Sequence, residues 1–229
     1  MIAVIFALPT ESLDLRRRLR DSKQNGHFLS GRINDRDVTI LHTGVGAQNC
    51  NDRVEALIHK IRPRIVVSSG FAGAVGANLK AGDLVLAENL SDQRLLDAAQ
   101  RTLHDRKLHT VKLFTSPSII DSVAERNEIG RESGAAAVDM ETGTIANVCN
   151  AHGIPLIALR AISDTPDQPF PAPPSVLFDL ERQRPNYGRL FAYLLTHPAS
   201  IPRLVRFGRK INLTRAQLTG AIVALIGAL

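Results

Sequence analysis

The run AAAVDMETGTIANVC, residues 135–149, places two carboxylates, Asp139 and Glu141, where an apolar, strand-like stretch gives way to a helical pattern. A carboxylate buried at a strand end is costly unless something binds or neutralises it, and a ligand rich in hydroxyls would do so. Two further strand-like runs lead into a carboxylate: IAVIFAL is followed closely by Glu11, and PLIALRAISD ends in Asp164. Each also has a plainer reading. Glu11 could sit in the first turn of a helix, where the dipole favours an anion, and Asp164 could open a turn before Pro166. Two glycine-bearing stretches, HTGVGA and SSGFAGAVG, complete the set, with Gly44, Gly46, Gly70 and Gly73. Glycines let the backbone approach a ligand closely, and exposed N–H groups there hold anions or hydroxyls; tight turns are the alternative use. Thr43, Ser68 and Ser69 add hydroxyls. Neither stretch has the dinucleotide or P-loop spacing.

The elements that would position these groups follow from periodicity. IAVIFAL, RIVVSSG, GDLVLAE, TVKLFTS, AAAVDM and PLIALRAISD read as strands, with Gly82 as the turn before one of them. HFLSGRI and RDVTILHTG read as a hairpin pair. ESLDLRRRLRD, NCNDRVEALIHKI, RLLDAAQRTL, DSVAERNEIGRES (Asp121 as N-cap) and ETGTIANVCNAHG (Gly153 as its stop) read as helices. Continuous apolar strands separated by helices predict an α/β protein, a three-layer αβα sandwich around a mixed, twisted sheet. Ligands in such sheets lie beyond the carboxyl ends of strands. DTPDQPFPAPPS, 164–175, divides a body, 1–165, from a helical C-terminal extension, 166–229, packing on the same domain.

With 229 residues, 44% apolar and 22% charged, the chain can build one sizeable core. No uninterrupted apolar stretch predicts a membrane span. MIAVIFALPTES lacks a basic segment before its apolar run and reads as a first strand. Cys50 and Cys149 form no metal or redox spacing, which fits a reduced, cytoplasmic setting. The formal charge of +6 is uneven: residues 182–229 carry eight basic groups and no acid, whereas 1–181 carry 20 basic and 22 acidic groups, or −2. The tail lacks interleaved aromatics or any nucleic-acid motif, so no nucleic-acid partner is expected.

Taken in order, VDMETGTIANVCNAHGIPLIALRAISD and SSGFAGAVGANLKAGDLVLAE resemble the nucleoside phosphorylase/nucleosidase superfamily, especially the methylthioadenosine/S-adenosylhomocysteine nucleosidases, over roughly residues 1–165. The resemblance implies hydrolysis of the N-ribosidic bond of an adenosine-type nucleoside, with release of adenine and without cofactor or metal. It implies that Met140 and Glu141 contact the ribose, Glu141 through the 2′ and 3′ hydroxyls. Asp164 would be the general acid at purine N7, supported by Ser163, and Glu11 would position the attacking water. Thr43, Gly44, Ser69, Gly70, Phe71 and Gly73 would line the ribose and the water or phosphate site, and Ile119 the base. Such chemistry passes through an oxocarbenium-like sugar: protonating the base helps it leave, and an anionic carboxylate steadies the developing charge. Asp139, one residue before Met140, and Arg160 are expected to be structural. Superfamily phosphorylases bring arginines to phosphate; SSGFAGAV and ALPTES contain none, and Glu11 would repel phosphate, so water is the expected nucleophile.

Two departures matter. After GDLVLAENLSD the chain lacks a segment that covers the substrate's 5′ side in the nucleosidases. The C-terminal PAPPSVLFDLERQRPNYGRLFAYLLTHPASIPRLVRFGRKI is similar to hopanoid-associated phosphorylase-like proteins, which implies an alternative substrate, an adenosyl-hopanoid-type lipid. LTGAIVALIGAL beside its arginines could then rest on an anionic membrane; packing of that helix on the body is the favoured alternative. The family also implies a homodimer. A non-catalytic nucleoside-binding protein is the remaining reading.

Overall fold

A computed structural model describes the whole chain except residues 45, 180–183 and 186; the side chains of 174, 178, 179, 184, 185 and 187 are also outside the description. The basic groups of the tail at 182 and 184 therefore lie outside it. Ten strands form one mixed sheet: β1 (Ile2–Phe6), β2 (Arg20–Asn25), β3 (Phe28–Ile33), β4 (Arg36–His42), β5 (Ile65–Ala74), β6 (Leu84–Ala87), β7 (Leu108–Val111), β8 (Leu113–Thr115), β9 (Ala137–Asp139) and β10 (Leu156–Asp164). The helices are α1 (Leu13–Arg16), α2 (Ala47–Ile61), α3 (Gln93–Thr102), α4 (Val123–Ser133), α5 (Thr142–Ala151), α6 (Pro174–Leu177), α7 (Tyr187–Thr196) and α8 (Ile201–Ala228).

The strand order is β2-β3-β4-β1-β5-β10-β6-β7, with β9 joining β5 to β8. Strands β4, β1, β5 and β10 run parallel, so their carboxyl ends gather at one edge. β1 and β10 are buried along their full length, as the apolar run of β1 and the apolar first half of β10, Leu156–Leu159, require for a sheet covered on both faces; β10 also buries Arg160, Ser163 and Asp164. On one side, Val4, Phe6, Ile157 and Leu159 pack with α3 and α8; on the other, Ala3, Ile5, Val54, Leu57, Ile145 and Cys149 pack with α2 and α5. The predicted three layers are present.

Several local expectations are corrected. ESLDLRRRLRD gives only one helical turn, Leu13–Arg16, with Leu15 buried; Leu19 packs against the same core from beyond the helix, and the chain then turns into the exposed strand β2. TVKLFTS splits at Lys112, β7 pairing with β6 and β8 with β9. SSGFAGA is not a loop but the second half of β5, whose register with β10 shifts between Ile162 and Asp164. The cap of α4 is Ser122, which accepts the Glu125 N–H at 3.3 Å, not Asp121.

The segment LTGAIVALIGAL does not lie at a surface: Leu218, Ala221, Ile222, Leu225 and Ile226 are buried in the core that α8 shares with β1, α3 and β10. Pro198–Ala228 is long and apolar enough, by length and composition, to cross a membrane, but its C-terminal half serves as a core helix. Ile222→Ala should therefore destabilise the fold by about 2–5 kcal/mol, read from urea unfolding. An effect under about 0.5 kcal/mol, as at a surface position, would remove α8 from the core.

Candidate functional site

β5 is the axis of the site. Glu11 follows β1 and folds back onto β5: Oε2 accepts the Leu8 N–H and Oε1 the Phe71 N–H, both at 2.9 Å. It is therefore not an anion in a helix's first turn. Gly70 makes this approach feasible. Its φ is +142°, and a Cβ there would lie 2.6 Å from Glu11 Oε1. Burial raises the proton affinity of Glu11, against the opposing pull of the Leu8 and Phe71 amides and the Arg160 charge. Next to it, Ser12 Oγ and His42 Nε2 are 2.7 Å apart. Burial first, then Arg16 and Arg53, push His42 down to about 4, so its imidazole is neutral near pH 7.

Glu141 stands at the N-cap of α5 but makes no capping bond to that helix. It is 8% exposed. Burial, then the charges of Asp139 and Glu11, push its pKa up to about 8; Arg160 and a backbone hydrogen bond at Met140 pull the other way. Met140 is half-buried beside it.

Arg160, on β10, is the cation common to these acids. Its Nε donates to Asp139 at 2.9 Å, and its Nη2 donates to Ser68 Oγ at 2.8 Å and Thr142 Oγ1 at 2.7 Å. Asp139 also accepts from Thr115 Oγ1 at 3.0 Å and from the Thr142 hydroxyl and amide. Asp139 is thus Arg160's counter-ion. Arg160 Nη1 is buried with no hydrogen-bond partner among the described residues, on the residue that acts electrostatically on both Glu11 and Glu141.

Asp164 ends β10 opposite Gly73, whose other neighbour is Val138 of β9. Its side chain opens no turn. Ser163 Oγ donates to Oδ1 at 2.6 Å, and Arg126 Nη2 is ion-paired to Oδ2. Arg126 comes from α4 and is 1% exposed. Its remaining bonds go to the carbonyls of Ala74 at 2.6 Å and Ile120 at 2.9 Å, which brings the segment around Ile119 to the acid. A Cβ at Gly73 would lie 3.1 Å from Arg126 Nη1 and 3.2 Å from Asp164 Oδ2. Both glycines of β5 thus admit a charged group to the sheet edge rather than forming turns.

Two expected ligand-facing hydroxyls point elsewhere. Ser69 Oγ donates to the Leu159 carbonyl at 2.9 Å, and Thr43 Oγ1 to the Gly44 and Phe6 carbonyls at 3.0 and 3.3 Å; both side chains are buried. The sequence reading missed Arg126. The signal available was weak: DSVAERNEIGRES lacks an apolar stripe, so a helix there must turn something polar toward the core.

Elevated carboxyl pKa values fix a sign for the pH dependence. Glu141 titrates near 4.5 when unfolded and near 8 when folded and ligand-free. Its contribution is fully present below about 4.5 and is lost as pH rises through about 8, because over that window the folded state binds more protons. Glu11 acts in the same direction. Urea unfolding of the ligand-free protein at pH 5 and pH 8 should show a decline that Glu141→Gln reduces. An equal decline in the variant would remove Glu141 as its source.

The family model described as the phosphorylase superfamily matches residues 1–93 and 87–196. The chain is 27% identical over 197 residues to a 5′-methylthioadenosine/S-adenosylhomocysteine nucleosidase of Staphylococcus haemolyticus, covering 72% of this chain and 86% of the relative. It is 28% identical over 200 residues to the enzyme of that name from Exiguobacterium, covering 73% and 86%. Among solved structures, the Streptococcus pneumoniae nucleosidase bound to 8-aminoadenine superposes with a TM-score of 0.77 at 19% identity, over 100% of this chain and 99% of that one. The shared fold extends through the C-terminal helix. With the family model matching most of its length, this chain belongs to the phosphorylase superfamily.

Proposed function

We propose that this protein is an N-glycosidase that hydrolyses the N-ribosidic bond of an adenosine-type nucleoside and releases adenine. The observation that carries the reading is the gathering of three buried carboxylates, Glu11, Glu141 and Asp164, around the carboxyl half of β5, two of them with raised proton affinity. The nucleosidases that this chain resembles support the substrate class.

Glu141, with Met140 beside it, takes the ribose hydroxyls. Hydroxyl donors favour the carboxylate form, so ribose binding near pH 7 is accompanied by proton release from Glu141. The resulting anion steadies the cationic sugar. The attacking water is positioned by Glu11. Its oxygen bonds to the anomeric carbon as the C–N bond breaks, and its proton passes to Glu11. Asp164, oriented by Ser163, supplies the proton that purine N7 takes up. Arg126 must share or yield Oδ2 when Asp164 carries that proton.

The test is adenine release from methylthioadenosine, S-adenosylhomocysteine and adenosine, with and without phosphate. Release independent of phosphate is the expected result. Strict dependence on phosphate would make the protein a phosphorylase and assign Glu11 another role. Adenine binding without turnover of any nucleoside would make it a binding protein.

A second reading rests on the surface of α7 and the first half of α8. Phe191, Leu195, Ile201, Val205 and Leu213 are exposed there, beside Arg203, Arg206 and Arg209. This combination suits peripheral contact with an anionic membrane and an adenosyl substrate carrying an apolar 5′ group. Sedimentation with anionic vesicles but not neutral ones, and turnover of an adenosyl-lipid alone, would favour it. A cytoplasmic homodimer is the expected assembly, and analytical ultracentrifugation tests it.

A further inference from the structure

The C-terminal ends of α2 and α5, remote from the carboxylates, bring together Glu55, His59 and His152. Glu55 and His59 are one turn apart on the same face of α2, and His152 is the C-cap of α5. Glu55 Oε2 lies 3.5 Å from His59 Nε2 and 2.8 Å from His152 Nε2. The two imidazole rings meet edge to face, with centroids 5.4 Å apart. One ligand atom from each residue lies within 4.8 Å of the others.

We propose that Glu55, His59 and His152 form a binding site for a divalent transition-metal ion of the zinc class. A tetrahedral ion about 2.0–2.2 Å from its nitrogen and oxygen ligands sets neighbouring ligand atoms roughly 3.4 Å apart. The Glu55–His59 separation already has that value, and the Glu55–His152 pair needs to open by less than 1 Å. All three side chains are at least partly exposed, so that adjustment meets no packed core. Two imidazole nitrogens and one carboxylate oxygen select zinc, cobalt, nickel or copper over magnesium or calcium. The negative ends of both helix dipoles also favour a cation there. Bound metal would staple α2 to α5. The opposite ends of these helices adjoin Gly46 and Glu141, roughly 14–20 Å away by helix rise, so the ion would take no part in the carboxylate chemistry.

The test is calorimetric titration of the metal-free chain with Zn²⁺, joined to thermal unfolding and to Co²⁺ absorption. The expected result is one equivalent bound at micromolar metal and a melting temperature raised by roughly 5 °C at saturation. The His59→Asn and His152→Asn variants should each weaken binding about tenfold or more. Near-ultraviolet circular dichroism confirms that these surface variants remain folded, and Glu55→Gln provides a third arm. Failure of the parent chain to bind Zn²⁺ below about 0.1 mM would overturn the proposal. So would binding that all three variants leave unchanged, which would place the ion on other histidines.

Discussion

Asp164→Asn should lower the rate of adenine release by about 10²–10⁴-fold. The side chain keeps its shape but can no longer deliver a proton to purine N7. Loss of folding has to be separated from loss of chemistry, because the same change removes the charged partner of Arg126 in a site where both side chains are almost fully buried. Breaking one half of such a pair leaves the other charge uncompensated, a cost of about 3–5 kcal/mol. Rates should therefore be measured well below the variant's melting temperature. A loss confined to kcat, with substrate affinity kept, is the signature of the acid. Parent-like turnover in folded Asp164→Asn would assign the proton to another group.

Arg126→Met carries the second large expectation, and it concerns stability. The guanidinium holds Asp164 and the carbonyls of Ala74 and Ile120 in one buried cluster. Its loss strands a carboxylate and two carbonyls, which should cost about 3–5 kcal/mol and lower the melting temperature by roughly 10 °C. The double variant with Asp164→Asn removes both charges. It should be more stable than the sum of the single losses implies, while remaining as inactive as Asp164→Asn alone. Strict additivity in stability would mean that the pair is not coupled. Scanning calorimetry gives the stability arm and adenine release the activity arm.

Much of the architecture is legible without coordinates because it depends on local period. The unbroken apolar run of β1, the mostly apolar run of β10, the helical spacing of Val54, Leu57 and Ile58, and Gly153 after α5 each encode an element within a few residues. Glu11, Glu141 and Asp164 stand out for the same reason: each follows or closes an apolar run. SSGFAGA misled because its glycines look like turn formers. In the folded chain they are places where Glu11 and the Arg126–Asp164 pair press against strand β5. ESLDLRRRLRD misled because its leucines have helical spacing, yet Leu19 reaches the core from outside the single turn Leu13–Arg16.

The sequence alone determined the α/β alternation, the apolar strands and the three acids at their ends, since each rests on neighbouring residues and on the geometry of one element. Tertiary structure decided which charges meet. Arg126 reaches Asp164 across 38 residues, and Arg160 reaches Asp139 across 21. It also placed the apolar end of α8 in the core rather than at a surface. The cost of burying a charge depends on the partner that folding brings to it, and no local pattern in the chain names that partner.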